Sequence, residues 1–188
     1  TSLIIGNTQA MLIDTGYGFS NLHSFVRTLT DLPLIVVNTH GHVDHAGGNF
    51  LFDRIYMHPE EVTIYRQYMS DVRPVVVRNF EKQDKENAAK NNIQNKSSVL
   101  PEDFDKAAYL NQDMCVTEPL YDGQCFDLGG RVVQAILLPG HTAQHMIFFD
   151  EHSGILFGGD DVSNNVWLQF DFSVPLHEYA QHLEALNH

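Results

Sequence analysis

The chain has 188 residues, 43% of them hydrophobic, and a formal net charge of −13 at pH 7. Its length and hydrophobic content suit one globular domain with a sizeable core. The negative charge argues against a general affinity for nucleic acid or anionic membranes, and no segment approaches the roughly 18 uninterrupted apolar residues of a membrane span. Two cysteines are too few for a disulfide framework and fit a reducing compartment, so we expect a cytoplasmic protein without a signal peptide.

The first part of the chain predicts an alternation of strands and helices. Residues 3–5 and 11–13 are short apolar runs separated by an Asn-containing turn, which indicates a β-hairpin. Residues 21–29 carry apolar side chains at the spacing of one helix face, and residues 34–37 are typical of a buried strand. This order implies a layered α/β arrangement. Further along, the pattern predicts a helix from about residue 46, a strand at 55–57 and a helix around 62–69.

The densest chemical motif of the chain follows the strand predicted at residues 34–37. It places three imidazoles and a carboxylate within six residues, in the order His40, His42, Asp44 and His45. Imidazole and carboxylate ligands suit zinc, and also iron or manganese. His40 and His42, two apart on an extended segment, can face one ion, while Asp44 and His45 turn toward a second. The motif therefore predicts a site for two metal ions.

Residues 72–111 interrupt the alternation of strands and helices. Residues 73–77 are ambiguous, residues 81–98 are polar and permit a helix, and residues 101–104 begin another short helix. A long insertion without a core of its own is either mobile surface or a lid. We therefore predict one domain over residues 1–188 with a helical insertion or lid at about 72–111. Aromatic side chains that could line a lid, or that pack against the body as we favour, are Tyr65, Tyr68, Phe80, Phe104 and Tyr109.

Two strands in the second half lead into candidate ligands. A strand predicted at residues 132–138 delivers His141 at its end, and a strand predicted at residues 155–157 delivers Asp160. Turn signals also predict a hairpin around residues 125–127, and residues 176–186 carry the apolar stripe of a final helix.

Three ordered motifs resemble those of the metallo-β-lactamase-fold hydrolases, in particular glyoxalase II-like and β-lactamase-like members. They are the HxHxDH motif, a strand-end PGHT and a strand-end Gly-Asp. The resemblance runs from about residue 2 to the last helix. It implies an αββα sandwich of two mixed sheets flanked by helices. The family continues into another strand with a last metal histidine that has no counterpart here, so we expect the chain to be truncated at its C-terminus.

The resemblance also assigns roles to the site residues. It implies a first ion held by His40, His42 and His141, and a second held by Asp44 and His45, with Asp160 bridging the two. Asp14, in the Asp-Thr-Gly that ends the second strand, is the candidate for supporting the ligand loop from behind. Neither His182, within the last helix, nor His188, at its end, makes a convincing substitute ligand.

The implied chemistry is hydrolysis of a small-molecule substrate by a metal-bound hydroxide. A bound zinc lowers the pKa of its water to about 7 and polarises the scissile carbonyl. Asp44 is the candidate general base. Esters, thioesters, lactones and lactams all remain candidate substrates, and the acidic net charge disfavours a nuclease. His145 departs from the small residue often found at its position in thioesterase-like members, and either touches substrate or packs.

Two alternatives remain open at the level of sequence. One is an iron-dependent oxidoreductase that resembles the sulfur dioxygenases of the same fold, with two histidines and the aspartate around one iron. The other is a non-catalytic or truncated metal-binding domain. We expect zinc at two sites, with iron or manganese as other candidates, and the sequence leaves the oligomeric state open.

Overall fold

Two β-sheets pack face to face in the computed structural model, which describes residues 1–89 and 100–186. The first sheet has the strand order β1-β2-β3-β4-β5 and the second the order β6-β7-β8-β9. The strands are β1 (Ser2–Ile5), β2 (Ala10–Ile13), β3 (Leu34–Val37), β4 (Arg54–Met57), β5 (Val116–Pro119), β6 (Cys125–Asp127), β7 (Val132–Leu137), β8 (Met146–Asp150) and β9 (Ile155–Phe157).

The two sheets differ in the direction of their strands. In the first sheet β1 and β2 form the predicted antiparallel hairpin, while β2 to β5 run parallel. Parallel neighbours need crossover connections, and helices supply them. The second sheet is antiparallel throughout its described strands, because short turns join them. The predicted architecture of two sheets flanked by helices is confirmed, although only the first of these sheets is mixed.

The apolar core divides into two layers, one on each face of the first sheet. Met11 and Ile13 on β2 face the second sheet, where they pack with Val133 and Phe148. Leu12, between them in sequence, points the opposite way and packs under the helices. All four residues of β2 are buried because the strand is covered on both faces.

Six helices of the described ranges cover the sandwich. They are α1 (Leu22–Arg27), α2 (Val43–Ala46), α3 (Glu61–Gln67), α4 (Arg73–Ala89), α5 (Lys106–Leu110) and α6 (Leu176–Ala185). The Asn21 side chain caps α1 by accepting a hydrogen bond from the Ser24 amide, at 3.0 Å. None of the helices in the described ranges combines the length and the apolar composition that crossing a membrane requires.

The structure corrects the predicted helix that was to begin near residue 46. Helical backbone begins earlier, at Val43, so α2 contains two residues of the histidine motif. It ends at Ala46, with Gly47 as its C-cap, and a separate 3₁₀ turn follows at Asn49–Leu51. The backbone packs closely at this point, because a Cβ on Gly47 would lie 2.5 Å from the carbonyl oxygen of Tyr17. Only glycine therefore fits at position 47.

The insertion is helical where it is described. A π-helical turn at Tyr68–Val72 joins α3 to α4, so the ambiguous residues 73–77 are helical. Residues 101–104 form a turn rather than a helix start, and α5 begins only at Lys106. The predicted polar helix is observed to Ala89, and residues 90–99 lie outside the described ranges. Strand β5, which follows α5, had not been predicted.

Aromatic packing fastens the insertion to the body. Phe80 of α4 and Phe104 both make edge-to-face contacts with Phe19, with ring centroids 5.2 and 5.3 Å apart. Tyr109 of α5 is buried and donates a hydrogen bond to the Tyr17 carbonyl, at 2.6 Å. These rings pack against the loop after β2, as we favoured. The role of the insertion as a lid stays a prediction.

A buried carboxylate links the two sheets at their far edge. Asp150 of β8 accepts hydrogen bonds from the Arg131 guanidinium and from the Ser153 hydroxyl. Arg131 also donates to the carbonyl of Ile5 on β1, at 3.1 Å. Burial by itself would raise the pKa of Asp150, but these donors hold the pKa below its ordinary value.

The variant Asp150→Asn is expected to lower the free energy of unfolding by about 2 kcal/mol at pH 7, since hydrogen bonds to a charged group typically contribute ~1.5–3 kcal/mol. The native pKa of Asp150 lies below the ordinary value of 3.8, so its ionised form stabilises the fold above that pH. This contribution is lost as the pH falls through the native pKa. Urea unfolding of parent and variant should therefore give curves that converge at acidic pH.

Glu118→Gln is the control, because Glu118 forms an exposed ion pair with Arg54 at 3.4 Å. We expect it to change the free energy of unfolding by less than about 1 kcal/mol. Equal effects of the two variants, or an Asp150→Asn difference that persists at acidic pH, would contradict the role of Asp150.

Candidate metal centre

Three histidines from two distant parts of the chain meet at one edge of the sandwich. His40 and His42 lie in the loop between β3 and α2, and His141 lies in the turn after β7. One ring nitrogen of each lies within 4.8 Å of the others, and all three residues are buried. The set is the one that the family resemblance implies for the first ion.

Two buried ring nitrogens in this group lack hydrogen-bond partners among the described residues. Nδ1 of His40 is 3.0 Å from the Thr39 hydroxyl, which leaves its Nε2 without a partner. Nδ1 of His42 is 3.0 Å from Nε2 of His141, and Nε2 of His42 likewise has none. A buried polar atom without a partner is costly. A divalent cation bound among these imidazole nitrogens would give them a partner, so these residues fit a metal ion.

A second group overlaps the first. Ring nitrogens of His40 and His45 and a carboxylate oxygen of Asp160 also lie within 4.8 Å of one another. Asp160 reaches both groups, with Oδ1 at 3.2 Å from Nε2 of His45 and Oδ2 at 3.4 Å from Nε2 of His141. The carboxylate therefore lies between the two groups, as a bridging ligand must.

Asp44 stands slightly apart from these groups. Its Oδ2 is 3.7 Å from Nε2 of His45, and its side chain is 43% exposed. It is not a member of either compact group in the described part of the chain. Asp44 is therefore on the open side of the centre, where it is accessible to water.

Asp14 lies directly behind the ligand loop. Its carboxylate accepts from the Thr39 amide at 2.8 Å and lies 2.8 Å from Nδ1 of His45. Its φ of 61° is the only positive value for a non-glycine residue in the described ranges, and strained backbone of this kind clusters at functional sites. Asp14 thus orients the His45 ring so that Nε2 faces Asp160.

The charges around the centre separate the histidines into two kinds. Burial and the neighbouring His141 lower the pKa of His42 to about 3, so its ring is neutral, as a metal ligand must be. Burial would likewise lower the pKa of His45, but Asp14 outweighs this effect and raises the pKa to about 10. The carboxylates thus attract positive charge to this position, which a proton supplies in the metal-free protein and a cation would replace.

The ligand loop is fastened to α3. The Gly41 amide donates to Oε2 of Glu61 at 2.9 Å, and a Cβ on Gly41 would lie 2.7 Å from the Glu61 carbonyl oxygen. Glu61 is almost fully buried. Sequence reasoning missed it, because a glutamate in the first turn of a helix is usually exposed.

Aromatic rings form a wall beside His42, and of these rings only Tyr68 was among the aromatic residues predicted to line a lid or to pack against the body. Tyr68, in the π-helical turn, stacks on the His42 ring with centroids 4.2 Å apart and planes at 16°. Phe170 and Phe172 stack on each other and present their edges to the same ring. The loop after β9 brings these two rings to the site, and its sequence gives no periodic signal.

The remaining candidates occupy different environments. His145 is fully buried and its ring stacks on that of His40, so it packs beneath the ligands in this structure. Asp161 is also fully buried. His182 places Nδ1 3.0 Å from the Pro139 carbonyl oxygen, two residues before His141, and joins neither metal group. His188 lies outside the described residues.

Comparison with known proteins identifies curated relatives of this chain. The curated relatives include acyl-coenzyme A thioesterase MBLAC2 from Bos taurus, 28% identical over 181 residues that cover 85% of this chain and 57% of that protein. Another is atrochrysone carboxyl ACP thioesterase nsrC from Aspergillus novofumigatus, 26% identical over 166 residues that cover 86% of this chain and 38% of that protein. The chain thus spans less than two thirds of the length of these relatives.

Solved structures share the fold at low sequence identity. The di-iron-bound form of TTHA1623 gives a TM-score of 0.63 at 22% identity, covering 98% of this chain and 79% of that one. A metallo-beta-lactamase from Pontibacter korlensis gives 0.62 at 18% identity, covering 98% and 71%. The sequence profile of the metallo-beta-lactamase superfamily matches residues 1–186. The chain therefore belongs to the metallo-beta-lactamase superfamily.

Proposed function

We propose that this protein is a metal-dependent hydrolase of acyl thioesters. The observation that carries the proposal is the convergence of His40, His42 and His141 with two buried ring nitrogens left without partners among the described residues. In our assignment these three residues hold one ion, and His45 and Asp44 hold a second. Asp160 is shared between the two. Zinc is the metal that this donor set suits best, and iron and manganese are the other candidates.

When bound, such an ion supplies a nucleophile at neutral pH by lowering the pKa of its water to about 7, and it polarises the scissile carbonyl. The chain's own residues do the remaining work. Asp44, half exposed beside His45, accepts a proton from the attacking water or orients it. Asp14 keeps the His45 ring fixed through its contact with Nδ1. Because the attacking group is water, the proposed reaction needs no serine or cysteine nucleophile.

Three considerations favour a thioester. A thiolate leaves readily because the pKa of a thiol is about 8.5, so this reaction needs an activated water more than it needs a general acid. The names of both curated relatives above include thioesterase. The aromatic wall of Tyr68, Phe170 and Phe172 offers an apolar surface beside His42 for the acyl group. We therefore propose a small-molecule acyl thioester as the substrate.

Iron-dependent oxygen chemistry is the second candidate. The group of His40, His45 and Asp160 has the two-histidine, one-carboxylate composition of mononuclear iron sites. Metal identity separates the two candidates, because hydrolysis is expected with zinc and oxygen chemistry requires iron.

Asp44→Ala is expected to lower kcat/KM for an acyl-coenzyme A by about 100-fold or more, since general-base contributions are typically 10²–10⁴-fold. The fold should be retained because Asp44 is half exposed and packs no core. The measurement is release of free thiol over a series of acyl-coenzyme A substrates, with the matching oxygen esters and lactones assayed beside them.

His177→Ala is the control substitution at the surface, because the His177 side chain is 76% exposed and lies outside the centre. Its activity should equal that of the parent. Near-normal thioester hydrolysis by Asp44→Ala would defeat the general-base assignment. Faster hydrolysis of lactones or oxygen esters than of thioesters by the parent would overturn the proposed substrate class.

Metal content is the second test. Elemental analysis of the purified protein is expected to give close to two zinc ions per chain, and removal by a chelator should abolish hydrolysis until zinc is restored. Asp160→Ala should reduce the content of both ions, because its two oxygens face His45 and His141. One iron per chain with oxygen consumption would instead favour the second candidate.

A further inference from the structure

We propose that Asp161 and His145 form a buried positioning pair that fixes the spacing between two metal ligands, His141 and Asp160. Neither member of the pair is a ligand in our assignment. The inference rests on the metal site of the proposed function, but not on its thioester substrate. Five contacts carry it, and two glycines make room for them.

Asp161 holds the turn that carries His141. Its Oδ1 accepts a hydrogen bond from the His141 amide at 2.5 Å, and its side chain is fully buried. Its own backbone carbonyl accepts from the hydroxyl of Tyr179 on α6. Helix α6 thus anchors Asp161, and Asp161 in turn anchors the backbone of the ligand.

His145 holds the other ligand in a similar way. Its Nε2 accepts a hydrogen bond from the Asp160 amide at 3.3 Å. Its ring stacks on that of His40, with centroids 4.9 Å apart and planes at 28°. His145 therefore supports the backbone of Asp160 on one side and the ring of His40 on the other.

The two members of the pair face each other. Nδ1 of His145 lies 3.2 Å from Oδ2 of Asp161, and neither atom has a hydrogen-bond partner among the described residues. Because Nε2 accepts from the Asp160 amide, a neutral His145 ring carries its proton on Nδ1, toward Asp161. Each member thus lies beside the other in a buried place, and loss of either leaves the remaining polar group alone.

Two glycines make room for the pair. A Cβ on Gly140 would lie 2.2 Å from Oδ1 of Asp161, and a Cβ on Gly159 would lie 2.7 Å from Nε2 of His145. Each glycine directly precedes a ligand, His141 or Asp160. The backbone before each ligand is therefore shaped to admit the supporting side chain, which is why we assign the pair to positioning rather than to general packing.

The test is metal affinity, measured on the metal-free full chain by competition between the protein and a chromophoric chelator for zinc and for cobalt. Asp161→Ala and His145→Ala should each weaken binding by about 10–100-fold, the usual cost of losing a group that orients a ligand. The absorption spectrum of bound cobalt should change in both, because the geometry around His141 and Asp160 relaxes.

Asp161→Asn provides a graded variant. Its amide oxygen still accepts from the His141 amide, but its NH₂ group opposes the proton on Nδ1 of His145, so we expect an intermediate loss of affinity. The double variant of Asp161→Ala with His145→Ala should lose no more metal affinity than the single variant that binds metal less tightly, because the two residues act as one unit.

Asp150→Asn is the control for general destabilisation. Asp150 is as deeply buried as Asp161 but contacts Arg131 and Ser153 rather than the ligands. The metal affinity of the Asp150→Asn variant should therefore equal that of the parent. Circular dichroism and urea unfolding of each metal-free variant verify the fold. If Asp161→Ala does not fold, His145→Ala and Asp161→Asn are judged by the same criteria.

Folded variants that bind zinc within about twofold of the parent, with an unchanged cobalt spectrum, would overturn the proposal. An additive loss in the double variant would overturn the pairing as well. A parent that binds metal but does not cleave thioesters would contradict the proposed substrate alone. A parent that binds neither metal would remove the basis of both proposals.

Discussion

The buried meeting of imidazole rings is the constraint on which the rest of this structure depends. His40, His42 and His141 bring nitrogen lone pairs together where water does not reach, and such an arrangement is unfavourable unless a cation lies among them. The surrounding carboxylates provide the opposite charge. A protein that maintains this arrangement must hold the ligands from behind. Thr39 contacts the His40 ring, Asp14 contacts the ring of the neighbouring His45, and Asp161 holds the backbone of His141.

The sandwich makes this arrangement possible by bringing strand ends together. The loops after β3, β7 and β9 come from both sheets, and each delivers its ligand at the same edge. The sheets provide rigidity, and small residues in the loops provide close approach. Gly41 lies against α3 in the way that Gly140 and Gly159 lie against their supporting side chains. The strands thus provide the stability of the core, and the loops set the geometry of the site.

Sequence reasoning succeeded where the information is local. The order His40, His42, Asp44 and His45 after an apolar run suffices to predict a metal site, and short apolar runs predicted most of the strands. It failed where contacts join distant residues. Glu61 is buried only because Gly41 meets it, and Tyr68 reaches His42 only because a π-helical turn interrupts the helix. The start of α2 at Val43 was missed because the ligand loop itself enters the helix.

The same π-helical turn fixes how α4 is rotated about its axis relative to the metal centre. Helical backbone runs from Glu61 to Ala89, with Tyr68 in its first third against His42 and Phe80 further along against Phe19. Each residue of a helix turns the chain by roughly 100°. Removing one residue from the turn at Tyr68–Val72 would therefore rotate Phe80 away from Phe19 while Tyr68 kept its place. The length of this turn, more than its composition, sets which face of α4 meets the body of the protein.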